Sequence, residues 1–194
     1  PRGQGRDKMR RRVLLVAPGR YDLDREAVKP EELASPVLYR VTDLIVPLSR
    51  YAKLSRMLPV TVVRVVDGDT IEVEIGDPPP GLERRETVRL IGVDTPETVD
   101  PHKPVQAFGR EASAFTKERL LGKTVYLAFD QSLRDVYQRL LAYVYLGNGT
   151  CFDLELVAEG YGFAYVKYPF FFMDEFRNAE LSARYANKGL WGRK

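Results

Sequence analysis

In the stretch VTVVRVVDGDTIEVEI, residues 60–75, two runs rich in β-branched residues flank Asp67-Gly68-Asp69. β-Branched side chains fit a pleated surface and Asp-Gly favours a tight reversal, so the stretch reads as a β-hairpin. TVRLIGV, TVYLAF and RLLAYVYL supply three further strands downstream. Five short strands suit a small barrel better than an open sheet, because closure removes unpaired edges. Between the third and fourth strands, PVQAFGREASAFTKERLLG sets Phe108, Ala112, Phe115 and Leu120 on one helix face and ends at Gly122. DLELVAEG reads as a second helix, from an Asp153 cap to Gly160. MDEFRNAELSARYANKG reads as a third, with Phe172, Phe176, Ala179, Ala183 and Ala186 in register and Gly189 as its stop. The expected class is α+β, a five-stranded barrel packed with three helices.

Residues 1–58 differ in character and read as an N-terminal extension to a domain at 59–194. The opening PRGQGRDKMRRR is basic and lacks apolar periodicity, which suits a tail. Val37, Leu38, Val41, Leu44, Ile45 and Leu48 follow at helical spacing, with Ser35 as N-cap, Pro36 in the first turn and Pro47 as a kink. This helix is expected to pack on the main domain; contact with a membrane surface or a protein partner through residues 35–58 is the alternative. KMRRRVLLVAPG has the basic start of a signal peptide but an apolar core of only VLLVA, and no run reaches the roughly 18 apolar residues of a membrane-spanning helix. Location stays open on these grounds, with secretion or the cell envelope favoured over the cytoplasm.

The scarce residues exclude whole classes of chemistry. One cysteine, Cys151, permits neither an intramolecular disulfide nor a cysteine-rich zinc cluster. One histidine, His102, rules out paired-histidine acid–base catalysis and H-E-x-x-H zinc sites. A bound metal would take carboxylate and carbonyl oxygens, which select hard cations such as calcium, magnesium or manganese. The net charge of +3, from 30 basic and 27 acidic residues, leans towards anionic partners without proving one.

Charges on faces that should be buried carry the functional argument. Asp69 shares a strand face with Ile71, Val73 and Ile75, so it sits on the apolar side at the strand's mouth and needs a partner there. In RLIGVDTPET, Arg89 alternates with Ile91 and Val93, and Asp94, Thr95 and Glu97 leave the strand through Pro96, which keeps Thr95 extended. In RDVYQRLLAYVY, Arg139 enters the fifth strand while Arg134, Asp135 and Tyr137 lie in the loop before it. Each motif alone has a plain structural reading: a hairpin turn, a buried ion pair, a solvated charge cluster. Convergence at barrel strand ends favours an oxygen-lined cation site beside two guanidinium forks, the combination that phosphoryl chemistry asks for.

VVDGDTI, RLIGVDTPET, GREASAFTK, RDVYQRLLAYVY and LVAEGYGFAYV follow in the order and approximate spacing of the staphylococcal nuclease family, which about residues 60–192 resemble. The resemblance implies an OB-type barrel and a calcium-dependent endonuclease that cleaves DNA and RNA, leaving 3′-phosphate ends. By motif, Asp69 and Asp94 resemble the calcium carboxylates, Thr95 would offer its backbone carbonyl, and Asp67 resembles a nearby supporting carboxylate. Arg89 and Arg139 resemble the pair that contacts the scissile phosphate, Glu97 the residue that positions the attacking water, and Tyr137 and Tyr165 the tyrosines lining the nucleotide pocket.

The chain also departs from the family pattern. Val136 stands where the reference member has a phosphate-binding lysine, Gln138 replaces the glycine of YGR, and Lys167-Tyr168 come in reversed order. The loop GDPPPGLERRE is longer. A cis Tyr168–Pro169 bond is expected from the resemblance, and the chain is expected to be a monomer. The competing reading is a catalytically silent barrel that binds nucleic acid or protein. Such domains typically lose the acidic and arginine positions, which are all present here.

Overall fold

The computed structural model describes residues 57–96 and 108–192; the basic tail, the helix read over residues 35–48 and Glu97 lie outside the described residues. The chain runs β1 (Leu58–Val65), β2 (Thr70–Glu74), β3 (Arg85–Leu90), β4 (Val93–Asp94), α1 (Gly109–Leu120), β5 (Thr124–Arg134), β6 (Leu140–Tyr145), α2 (Phe152–Ala158), β7 (Phe163–Ala164) and α3 (Met173–Tyr185), with a 3₁₀ turn at Gly189–Trp191.

β1 and β2 form the hairpin that their β-branched runs require, with Val62 opposite Val73 and Val65 opposite Ile71. The five expected strands close into a barrel in the order β1-β2-β3-β6-β5, with β3 and β6 parallel and the other pairs antiparallel. Val60 and Val62, Ile71 and Val73, Val88 and Leu90, Val125 and Leu127, Leu140 and Ala142 are buried, so the period-2 alternation points one face of each strand inward. Phe152, Phe172 and Phe176 extend the core under α2 and α3. Phe115 of α1 stacks on Tyr161 with ring centroids 4.2 Å apart.

Four local expectations are corrected. TVRLIGV is not one strand: β3 stops at Leu90, Gly92 turns with φ 78°, and β4 leaves to pair with β7. A Cβ at Gly92 would fall 2.8 Å from the Phe170 ring, so only glycine permits both the turn and the packing. Arg89 therefore shares the outer face of β3 with Arg85 and Thr87, while Glu86, Val88 and Leu90 point inward.

Asp153 does not cap α2. Cys151 holds the cap position, and Asp153, fully buried in the first turn, accepts the Val144 N–H at 3.0 Å and so ties α2 to β6. α3 ends at Tyr185, short of Gly189, because Asn187 takes the left-handed conformation at φ 52° and leaves Ala186 exposed. Gly189 instead lies against the Gly160 turn, where a Cβ would fall 2.3 Å from the Gly160 carbonyl oxygen. Tyr168–Pro169 is trans, the state that X–Pro bonds favour by about 0.5–1 kcal/mol. No helix among the described residues is long and apolar enough to cross a membrane.

Candidate active site

At one end of the barrel the turn between β1 and β2 meets the turn between β3 and β4, and Arg89 joins them. Its Nε lies 3.2 Å from Asp69 Oδ1. Nη1 donates to the carbonyls of Leu90 at 2.8 Å and Val93 at 2.7 Å, and Nη2 donates to Asp94 Oδ1 at 3.0 Å. The reversal at Gly92 is what brings those two carbonyls back around the arginine of their own strand. Asp69 is buried, and every bond it needs is supplied: Thr70 Oγ1 donates to Oδ1 at 3.1 Å, and the amide and hydroxyl of Thr95 donate to Oδ2 at 2.8 Å and 3.0 Å. The β1–β2 turn has no room beneath Thr95, since a Cβ at Gly68 would fall 2.7 Å from Thr95 Oγ1. α1 fixes the same turn from below, where buried Thr116 donates its hydroxyl to the Gly68 carbonyl at 2.7 Å.

Negative charge is crowded here. Asp67 Oδ1 accepts the Asp69 N–H at 3.1 Å, and burial, reinforced by the Asp69 charge, pushes its carboxyl up to about 7. Burial also holds the Asp153 carboxyl well above the usual carboxylate range, and its Oδ2 has no hydrogen-bond partner among the described residues.

The β5–β6 hairpin is organised by Asp135. Its Oδ1 accepts the N–H groups of Tyr137 and Arg139, each at 2.9 Å, and its Oδ2 accepts Arg139 Nε at 2.7 Å. Gln138 adopts φ 66°, the left-handed conformation that the glycine of YGR takes without strain. Val136 and Tyr137 project into solvent, and Arg139 Cζ lies 5.4 Å from the centre of the Tyr137 ring. At the hairpin's base Arg134 grips both oxygens of Glu86, at 2.7 Å and 2.9 Å. Burial alone would raise the Glu86 carboxyl, but the Arg134 fork and the Glu83 N–H outweigh it and hold it below its usual value.

Of the residues singled out in the sequence, Asp69, Arg89, Asp94 and Thr95 are bonded directly to one another, and Asp67 joins them through the Asp69 amide. Arg139 reaches the same end of the barrel by strand pairing, because β6 sets Leu140 beside Val88 and Leu141 beside Arg89. No ion pair among the described residues links it to the Asp69 cluster. Tyr165 donates its N–H to the Gly92 carbonyl at 2.9 Å, which places it at the turn preceding Asp94, with its ring centre 6.1 Å from that of Tyr168. Sequence reasoning gave no role to Thr70, Thr116 or Gly68 and treated Asp135 only as part of a charge cluster. A hydroxyl on the apolar face of α1 was the available signal for Thr116.

The donor chemistry fits a hard cation. Asp69 and Asp94 already share one guanidinium, and the ligand atoms in reach are all oxygens. Among the described residues no three Asp, Glu, His or Cys side chains converge into a cage, so further ligands would be carbonyl, water and substrate oxygens.

The family described as "Staphylococcal nuclease homologue" matches residues 87–193. The chain is 40% identical over 131 residues to a thermonuclease of Staphylococcus hyicus, covering 67% of this chain and 73% of that one. It is 50% identical over 99 residues to a thermonuclease of Staphylococcus intermedius, covering 51% and 55%. It is 38% identical over 141 residues to the endonuclease YncB of Bacillus subtilis, covering 71% and 64%.

Proposed function

We propose that this chain, which belongs to the family of staphylococcal nuclease homologues, is a calcium-dependent endonuclease that hydrolyses phosphodiester bonds in DNA and RNA and leaves 3′-phosphate ends. The observation that carries this reading is the knot around Arg89. Both N–H groups of Nη1 are used by carbonyls, while Nη2 keeps one N–H beyond its bond to Asp94, on a guanidinium that cannot swing away. A rigid donor aimed at a phosphate needs no reorganisation as charge develops, which is where an enzyme gains rate.

Water attacks phosphorus, the P–O5′ bond breaks, and the phosphate stays on the 3′ oxygen. Arg89 and Arg139 grip the phosphoryl oxygens as negative charge builds on them. Asp135 holds Arg139 by Nε, which leaves both of its Nη atoms for substrate. Glu97, outside the described residues, positions the attacking water. Tyr137 and Tyr165 line the nucleotide. Asp69, Asp94 and the Thr95 carbonyl would hold calcium, which when bound supplies positive charge to a phosphate oxygen.

Digestion of end-labelled single-stranded DNA with calcium, with magnesium and with chelator, followed by end-group analysis, tests this. Calcium should support cleavage to 3′-phosphates and magnesium should substitute poorly, since it demands tighter octahedral geometry. Full activity in chelator would sink the metal dependence. Binding without cleavage under every condition would favour the silent scaffold.

A further inference from the structure

Basic side chains on the described surface mostly have a carboxylate partner. Arg64 pairs with Glu72, Arg84 with Glu74, Arg119 with Glu155, Arg134 with Glu86 and Lys188 with Glu159. Arg85, exposed at the start of β3, is an exception, as are Arg110 and Lys117 of α1: its side chain makes no ion pair or hydrogen bond among the described residues. Its cross-strand neighbour Glu74 is engaged by Arg84 Nε at 3.0 Å.

Strand geometry decides what Arg85 stands beside. It shares the outer face of β3 with Thr87 and Arg89, so at about 3.3 Å per residue the two arginine backbones are about 13 Å apart. The parallel register puts Leu140 beside Val88; continued by one residue, it sets Arg139 level with Thr87, about 4.8 Å to the side. Arg85, Arg139 and Arg89 therefore form a triangle across two adjacent strands. The residue between the two β3 arginines, Thr87, carries no charge. An unneutralised guanidinium beside two that the nuclease reading assigns to phosphate is complementary to a repeating anion, which a polynucleotide backbone supplies at each nucleotide.

We infer that Arg85 is a third phosphate contact, binding a phosphodiester that flanks the scissile one on a strand laid along the outer face of β3. The inference rests on the nuclease reading above. The Arg89 guanidinium is turned towards Leu90 and the Gly92 turn, away from Arg85, so Arg85 acts on substrate affinity and on the preference for longer substrates, without reading sequence.

Wild type, Arg85→Ala and Arg85→Lys, each as the full chain, would be titrated with a labelled single-stranded oligonucleotide in chelator across a salt series. The slope of log affinity against log salt should shrink by about 0.7 in Arg85→Ala, and binding at about 0.1 M salt should weaken about fivefold. Arg85→Lys should restore both, since a point charge releases the same counterion. With calcium, KM for the oligonucleotide should rise in Arg85→Ala while kcat holds, and cleavage of a dinucleoside monophosphate should not change. An Arg85→Ala chain of normal melting temperature with unchanged slope and unchanged KM, beside a wild type that cleaves, overturns the role of Arg85 and leaves the nuclease reading standing. A wild type that neither binds nor cleaves overturns both.

Discussion

Arg89 and Arg139 stand on neighbouring strands and are held in opposite ways. The Arg89 side chain is 13% exposed and is enclosed by Asp69, Asp94 and two carbonyls of its own turn. That of Arg139 is 31% exposed and is held through Nε alone, by a carboxylate of the hairpin it ends. The first arginine is part of the architecture; the second is attached to it. Preorganisation and adaptability are thereby divided between two residues of one type. On the proposed reading, the rigid fork would define where a phosphate must sit, and the other would settle on it after arrival.

Lysine substitutions test that division. Arg89→Lys should have the largest effect, because one ammonium cannot serve two carboxylates and two carbonyls at once. Single-turnover cleavage should fall roughly 10²–10³-fold, with a lower melting temperature measured on the same sample. A destabilised variant with near-normal cleavage would leave Arg89 a purely structural role. Arg139→Lys should lose about 10²-fold in rate. Its melting temperature should hold, since a partly exposed ion pair contributes only about 0.2–1 kcal/mol. A large thermal loss there would erase the contrast.

Protonation should separate the two regions in the metal-free protein. Asp67, pushed up to about 7, and Asp153, higher than usual, both bind a proton more tightly in the folded chain than in the unfolded one. For Asp67, stability therefore falls as pH rises from about 4 to about 7, and Asp153 continues that trend. Glu86 on the hairpin side is lowered, so its contribution is present above the ordinary glutamate range and is lost only on stronger acidification. Urea unfolding in chelator should accordingly show greater stability at about pH 5 than at about pH 8, and Asp153→Asn should flatten the difference. Greater wild-type stability at the higher pH would contradict the assignment.

The smallest effect is expected at Gln138. Its left-handed backbone costs about 1–2 kcal/mol for an L side chain, and glycine returns about 0.5–1 kcal/mol of that as unfolded-chain entropy. Gln138→Gly should raise stability by no more than about 1.5 kcal/mol by calorimetry and leave cleavage unchanged. A large change in cleavage would show that the hairpin, too, is held rigid for catalysis.

Much of this was legible in the sequence where period and chemistry agree. The strand runs gave the barrel, and a carboxylate in phase with Ile71 and Val73 gave Asp69 its buried place. The break after Leu90 was not legible, because LIGV continues the apolar pattern and only the packing of Phe170 and Phe176 against Gly92 forces the reversal. Asp153 was misread for a similar reason. An acidic residue at a helix start signals a cap, and whether it points to the helix or across to the Val144 amide depends on a strand that folds beside it. Arg85 escaped notice because a lone exposed arginine is ordinary until the register of β3 against β6 shows what stands next to it.

That parallel register also sets a timetable. Arg89 and Arg139 are far apart along the chain, and the β3–β6 pairing that unites them is one of the two long-range seams of the barrel, with β1–β5. Contacts of such long sequence separation form late, since the loop between them must first be closed. A nascent chain ending before Arg139 would carry Asp69, Arg89 and Asp94 but would lack both the second arginine and the strand that places it beside the first. The two arginines thus stand side by side only once β6 has paired with β3.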